Sequence, residues 1–116
     1  MDGQTVIFRR LSEVDAVATA HAVGLKKVLL SSAETPSAVT QIAVTSFKAD
    51  ETAESHIHPT MDEHYFFMEG EGEMTVGDTV CHCRPGDYLL VPAGSSHRLT
   101  AVKAMKFMTI GIAYDK

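Results

Sequence analysis

Residues 56–63 read His56-Ile57-His58-Pro59-Thr60-Met61-Asp62-Glu63, and this stretch decides how the rest of the chain is interpreted. Side chains two positions apart in a β-strand project from the same face, so His56 and His58 would present two imidazoles to one side. A proline that breaks regular strand pairing follows them, and Glu63 comes soon enough after this bend to face the same cavity. The stretch therefore predicts part of a metal site.

A second stretch supplies one more candidate ligand. His97 follows a turn that reads Pro92-Ala93-Gly94, and it can reach the same cavity from a neighbouring strand. Three imidazoles and one carboxylate suit Mn, Fe, Co, Ni, Cu or Zn, whereas Ca and Mg prefer shells made of oxygen alone. We therefore expect one divalent transition-metal ion with coordination positions left open for chemistry. The predicted ligands are His56, His58, Glu63 and His97.

Short β-branched and aromatic runs separated by glycine and proline indicate an all-β fold, either a sandwich or a barrel. The apolar run 27–30 and the longer run 39–47 precede the first motif, and residues 48–55 are interpreted as a polar loop. The sequence Val-Gly-Asp-Thr at residues 76–79 predicts a two-residue hairpin turn. The strands predicted after residue 63 are 64–68, 73–76, 79–83, 88–91 and 106–113.

The N-terminal segment predicts a different local structure. Residues 5–8, Thr-Val-Ile-Phe, are typical of a strand. Ser12 followed by Asp15 resembles the start of a helix, and the alanine-rich run to Ala22 supports one short helix that Gly24 would end. We therefore expect a short N-terminal helix in an otherwise all-β domain.

Together, the two stretches resemble the two motifs of the cupin superfamily. The first motif of that family reads His-x-His, three or four residues, Glu, six residues and Gly, and this chain matches it from His56 to Gly70. The second reads Gly, five residues, Pro-x-Gly, two residues and His, and this chain matches it from Gly86 to His97. The motifs lie at about residues 50–70 and 86–101 of a single expected domain, which spans residues 1–116.

Two positions depart from the usual pattern of the family. The first motif usually opens with Gly, where this chain has Asp50, and the second often closes with Asn, where it has Ala101. Neither position is a predicted ligand, so the departures concern loop geometry and not the metal site. The resemblance implies a jelly-roll-like β-barrel with the ion inside near its mouth. It also implies a homodimer, which would cover exposed sheet edges.

Alternation along the strand that contains Glu63 divides its neighbours between two faces. Tyr65 shares the face of Glu63 and is a candidate catalytic proton donor, because a buried phenol needs a hydrogen-bond partner. Glu63 is a candidate catalytic base if it leaves the ion. Phe67, on the same face, is interpreted as core packing. His64 and Phe66 fall on the opposite face, where Phe66 is a candidate homodimer contact.

Four other side chains have more than one interpretation. Cys81 and Cys83 point the same way from one strand, and reduced thiols packed in the core are favoured over thiol ligands or a redox pair. His82 alternates to the other face and is expected to be exposed or at an interface. Arg98 could anchor an acidic substrate or form a salt bridge at the rim.

Composition and charge exclude several classes of protein. The chain has 116 residues, of which 45% are hydrophobic, and this fits one compact soluble domain. Its net charge of −5 repels phosphate backbones, so we expect no nucleic-acid partner. No stretch approaches the roughly 18 apolar residues of a membrane span, and the first residues lack the pattern of a signal peptide. We therefore expect a cytoplasmic protein with no membrane association.

Two classes of function fit these observations. The first is a metal-dependent enzyme acting on a small organic molecule, because cupins with this full ligand set include oxygenases, decarboxylases, lyases and sugar isomerases. The second is a non-catalytic cupin that binds or senses a sugar or another small molecule. Both stay open at this point, because a fold alone does not determine a function.

Overall fold

The computed structural model describes residues 5–116, which form ten β-strands and two short 3-10 turns. The 3-10 turns lie at Leu11–Glu13 and Ser32–Glu34. The strands are β1 (Ala16–Ala18), β2 (Leu25–Ser31), β3 (Val39–Phe47), β4 (Thr52–His56), β5 (Met61–Glu69), β6 (Gly72–Val76), β7 (Thr79–Cys83), β8 (Tyr88–Val91), β9 (His97–Ala101) and β10 (Met105–Ala113).

The strands form two antiparallel sheets that share one hydrophobic core. The larger sheet has the order β1-β2-β3-β10-β5-β8, and the smaller has the order β4-β9-β6-β7. Phe47, Phe67 and Phe107 of the larger sheet pack in one buried cluster with Met74 and Leu99 of the smaller sheet. This confirms the predicted all-β fold. Within residues 5–116 no continuous ladder joins the sheets into the closed barrel that was expected, so the domain is a two-sheet sandwich.

Most strands downstream of residue 38 were predicted from the sequence. Strand β3 has the predicted bounds, and the hairpin between β6 and β7 pairs Val76 with Thr79 across a turn in which Gly77 has φ +56°. One correction concerns residues 48–55, because the second half of this expected loop belongs to β4. Ala53 in β4 is buried against β9, and this single inward apolar side chain has polar neighbours in the sequence, so the pattern of a strand was not visible.

Two predictions for the N-terminal segment are wrong. Residues 5–8 form no strand; they pair with no neighbouring strand, and the Val6 and Phe8 side chains are exposed. The expected helix is only the 3-10 turn at Leu11–Glu13, and the alanines that follow form β1. Alanine favours a helix in isolation, but β1 pairs with β2 and satisfies backbone groups along that edge of the sheet.

The two positions that depart from the usual cupin motifs lie side by side. The Asp50 N–H donates a hydrogen bond to the Ala101 carbonyl (2.8 Å), and the Ala101 N–H donates one to the Glu51 carbonyl (2.9 Å). Asp50 has φ +71°, in the left-handed region where a side chain is disfavoured and glycine is not. This backbone conformation explains why glycine suits the position.

The outer face of the larger sheet carries an apolar patch formed by Phe66, Tyr88 and Leu90. These side chains are 48%, 59% and 43% exposed, and they lie on the paired strands β5 and β8. Strand β8 is also an edge of the sheet, so it has backbone groups available for pairing. We propose that this patch is the contact of the expected homodimer. Within residues 5–116, no helix is long and apolar enough to span a membrane.

Replacing Asp50 tests the strain at the first motif. Asp50→Gly should raise the free energy of unfolding in urea by up to about 1 kcal/mol, and Asp50→Val should lower it by about 1–2 kcal/mol. The control Asp115→Gly, at an exposed position near the C-terminus, should change it by less than about 0.5 kcal/mol. A loss of stability in Asp50→Gly would contradict the explanation given for this position.

Placing a charge in the apolar patch tests the homodimer. Phe66→Glu should convert a dimer into a monomer in light scattering, because two copies of the carboxylate would be buried in the contact. The control Val80→Glu changes a side chain that is 63% exposed on the other sheet and should leave the dimer intact. A wild-type protein that is only monomeric at tens of micromolar would contradict the proposal.

Candidate metal centre

The four predicted ligands come together between the two sheets. His56 ends β4 and is paired with His97, the first residue of β9, so these two imidazoles start from neighbouring strands of the smaller sheet. Glu63 comes from β5 in the larger sheet, and His58 lies in the connection between β4 and β5. One ligand atom of each residue lies within 4.8 Å of those of the others, so the four side chains could hold one ion.

Backbone hydrogen bonds connect the two motifs to each other. The Gly94 N–H donates to the His58 carbonyl (2.8 Å), and the Ala93 N–H donates to the Asp62 carboxylate (2.8 Å). Gly94 has φ +83°, a conformation that glycine adopts without strain. The Pro-x-Gly turn of the second motif therefore fixes the connection between β4 and β5 that contains His58. Because Gly94 is only three residues from His97 in the sequence, the same turn positions both histidines.

Two of the imidazoles are oriented by carbonyl groups of their own segments. The Nδ1 atom of His97 lies 3.1 Å from the Ser95 carbonyl oxygen, and that of His56 lies 3.0 Å from the Glu54 carbonyl oxygen. A carbonyl only accepts, so each Nδ1 carries a proton, which leaves Nε2 as the ring nitrogen that can face an ion. This is the arrangement in which outer groups orient metal-binding histidines.

His97 provides the test of whether an ion fits. Its side chain is 1% exposed, and its Nε2 atom has no hydrogen-bond partner in the described chain. The nearest carboxylate oxygen, Oε1 of Glu63, lies 3.4 Å away without hydrogen-bond geometry. An unpaired buried polar atom is costly, on the order of 1–3 kcal/mol. A metal ion bound at Nε2 would satisfy this atom, so the donor set fits a divalent transition metal.

The surroundings of Glu63 favour the ionised carboxylate, which is the form that binds a metal ion. Burial opposes its ionisation, but the neighbouring His97, the Tyr65 hydroxyl and His58 outweigh burial and lower the pKa of Glu63 below its usual value. The Tyr65 hydroxyl donates to Oε1 of Glu63 at 2.6 Å. Burial, together with this carboxylate, raises the pKa of Tyr65 well above its usual value, so the phenol keeps its proton.

A cavity of about 280 Å³ opens beside these groups. Its apolar wall comes from core side chains such as Phe47, Leu99 and Phe107, and its polar wall comes mainly from β2, β3 and β10. The volume is at the lower end of the range for small-molecule sites. The arrangement can therefore bring a small organic molecule next to His56, His58 and Glu63, three of the four predicted ligands.

His21 also lines this cavity, and the sequence did not predict it. Its ring lies over that of His56, with centroids 4.2 Å apart, and it reaches the cavity from the turn between β1 and β2. Burial and the nearby His56 lower the pKa of His21 below its usual value. The expected helix over this segment concealed the residue, because only the β1 pairing brings the turn to the cavity.

The remaining candidates lie away from the cluster. Cys83 is buried in the core, where burial raises the pKa of its thiol to about 11, and Cys81 packs against the same core. His82 contacts Glu71 at the surface, as expected. Arg98 is bonded to Glu54 at 3.2 Å, which favours the salt-bridge interpretation over an anchor for substrate. His64, on the outer face, lies 2.6 Å from the Tyr88 hydroxyl.

The segment that contains both motifs matches a known protein family. Residues 43–111, more than half of the chain, match the family model described as the cupin domain. The chain belongs to the cupin family. The matched segment contains both motifs and all four predicted ligands of this cupin. None of the curated protein sequences compared with it gives a significant match.

Solved structures with the same fold cover nearly the whole of this cupin. A predicted oxalate decarboxylase from Thermotoga maritima has a TM-score of 0.82 at 19% identity, and the match covers 94% of this chain and 99% of that one. KdgF from Halomonas sp. has a TM-score of 0.79 at 18% identity, with 96% and 97% covered. Ectoine synthase from P. lautus has a TM-score of 0.80 at 20% identity, with 93% and 78% covered. At these identities the similarity establishes the fold alone.

Removing His97 tests the ligand set. His97→Ala should weaken the binding of Zn²⁺ or Co²⁺ by at least about a hundredfold in calorimetry, since it removes one of four donors. The control His64→Ala removes an imidazole from the outer face and should leave the affinity unchanged, as should the double variant Cys81→Ser, Cys83→Ser. Loss of the ion in the cysteine variant, with retention in His97→Ala, would place the site elsewhere.

Proposed function

We propose that this cupin is a metal-dependent enzyme that acts on a small organic molecule. His56, His58, Glu63 and His97 would hold one divalent transition-metal ion, and the substrate would occupy the adjacent cavity. The observation that carries the proposal concerns Nε2 of His97, which is buried, has no hydrogen-bond partner among residues 5–116, and faces Glu63 within a cluster of four potential ligands. An ion in this position would act as a Lewis acid on a substrate oxygen.

The side chains beside the cluster support catalysis and not only binding. Tyr65 keeps its proton and donates it in a hydrogen bond to Glu63 at 2.6 Å, so a proton is held next to the predicted ion. We assign to Tyr65 the role of proton donor to the substrate, and to Glu63 the roles of metal ligand and of hydrogen-bond acceptor that orients the Tyr65 hydroxyl. Phe47, Leu99 and Phe107 would exclude water from the substrate.

Enzymes are among the solved proteins that share this fold, and they do not specify a reaction for this chain. The similar structures include ectoine synthase and the polyketide cyclase RemF from Streptomyces resistomycificus, besides the predicted oxalate decarboxylase. These names cover different reactions, and the identities of 12–20% do not select one of them. Non-catalytic binding of a sugar or another small molecule is the second function to be tested, and the cytoplasmic location stays a prediction.

Metal analysis followed by a substrate screen separates these functions. The protein should be purified without a chelator or an affinity-tag metal, and it should contain about one transition-metal ion per chain. The loaded protein is then incubated, with and without O₂, with small hydroxy acids, keto acids and sugars, and substrate loss is followed by mass spectrometry. Turnover supports the enzyme, whereas saturable binding without turnover of any compound supports the sensor.

Tyr65→Phe tests the assigned proton donor. This change removes one hydroxyl that faces Glu63, and it should lower turnover per bound metal ion by about a hundredfold or more. The control Tyr88→Phe removes a hydroxyl on the outer face and should leave turnover unchanged. Equal turnover in Tyr65→Phe and wild type would show that Tyr65 only orients Glu63 or packs.

A further inference from the structure

Lys26 is the one side chain of the cavity wall whose charge the proposed metal site does not explain. Among the residues from 5 to 116 that line the cavity, it is the only lysine or arginine. It lies on β2, opposite Thr45 of β3, and Thr45 lies opposite the core residue Phe107 of β10. This register places Lys26 on the inner face of the larger sheet, which is the face that carries Glu63.

The partner of Lys26 is an amide and not a carboxylate. Its Nζ donates to Oε1 of Gln41 at 3.2 Å. Within residues 5–116, the ion pairs of the protein involve other cations, and no carboxylate lies within 4 Å of this ammonium group. A partly buried ammonium group without an anion is unfavourable, so a bound anion would improve its environment.

Gln41 lies in the same row of the sheet as the predicted ligand Glu63. It is paired with Gly111 of β10, and Gly111 is paired with Glu63 of β5, so the three residues form one row across the sheet. A side chain at Gly111 would collide with Thr40 and Met61, which lie over the strand at this point. Adjacent strands are about 4.8 Å apart, so the backbones of Gln41 and Glu63 are separated by roughly 10 Å.

The hydrogen-bond donors of Lys26 and Gln41 in the cavity wall favour the binding of a small anion. The ammonium group of Lys26 has two more protons to donate, and Gln41, whose oxygen is already engaged, has its amide N–H groups left to donate. Charged hydrogen bonds of this kind are the stronger ones. A single lysine supplies one positive charge, which matches a singly charged carboxylate better than a phosphate group, which carries about two negative charges at neutral pH. Arg98, the residue expected to anchor an acidic substrate, is bonded to Glu54 instead.

We propose that Lys26 and Gln41 bind the carboxylate of a small organic acid, and that a second oxygen of this acid faces the predicted metal ligands. This inference rests on the proposed function, because it names the class of substrate for the same cavity. It accounts for a cation on the cavity wall of a chain with a net charge of −5. The cavity volume limits the acid to a compact molecule.

Binding of defined acids tests the anchor. The probes are glycolate, lactate, malonate and malate, the neutral analogue lactamide, and inorganic phosphate, each titrated by calorimetry into Zn²⁺-loaded protein. At least one acid should bind, lactamide should bind about tenfold more weakly than lactate, and phosphate should bind more weakly than the best acid. Lys26→Met should weaken the best acid by about tenfold or more, whereas Lys26→Arg should retain most of the affinity.

The neighbouring lysine is a matched control. Lys27 points to the other side of β2 and donates to the Leu11 carbonyl (3.1 Å), so Lys27→Met should bind the acids like wild type. Gln41→Leu should also weaken acid binding, and it provides a second variant if Lys26→Met fails to fold in a thermal melt. Metal affinity should be the same in all of these variants, because none of the replaced residues is a predicted ligand.

The outcomes separate this inference from the proposed function. If the wild-type protein binds no transition metal, the proposed function fails, and acid titrations of the metal-free protein still test Lys26 and Gln41. If no acid binds, or if Lys26→Met and wild type bind the acids equally, the anchor is overturned. Equal binding of lactate and lactamide, or tighter binding of phosphate than of any acid, would overturn the assignment to a carboxylate.

Discussion

The approach of His97 to Glu63 is the interaction on which the rest of the site depends. His97 belongs to the smaller sheet and Glu63 to the larger, and their side chains meet at 3.4 Å in a largely buried position. Two polar groups that meet in the interior without a hydrogen bond between them need a shared partner, which a bound ion would supply. The packing of the two sheets therefore determines where His97 and Glu63 meet. The contact between these two side chains in turn limits the distance and orientation of one sheet relative to the other.

Each of three predicted ligands is oriented by a residue two positions away in its own segment. The Glu54 carbonyl faces His56, the Ser95 carbonyl faces His97, and the Tyr65 hydroxyl bonds to Glu63. In a strand, side chains two apart share a face, which accounts for Tyr65 and Glu63 directly. The local sequence thus carries both a ligand and the group that orients it, and the site needs few contacts from distant segments.

The parts of the structure that could be predicted from the sequence are those in which local signals agree. The four clustered residues follow from the spacing of two motifs, and β3 and the hairpin at Gly77 follow from strand propensity and turn chemistry. Prediction failed where pairing partners decide the structure. Strand β1 depends on the free edge of β2, and β4 shows only Ala53 as an inward apolar residue. His21 could not be assigned to the cavity because its position follows from the pairing of β1 with β2, and Lys26 could not because its face follows from the register of β2 on β3.

Strand β1 has three residues, all of them exposed, and within the described part of the chain β2 is its only partner. The turn that follows β1 nevertheless carries His21 to the cavity. The side of the cavity formed by this turn thus belongs to a short edge strand with no buried side chain, whereas the apolar wall of the cavity belongs to the packed core. Short edge segments with few buried contacts open locally long before a domain unfolds. We therefore expect local opening of β1 and this turn to set the residence time of a molecule bound in the cavity. The rate of its release would then not depend on the stability of the whole domain.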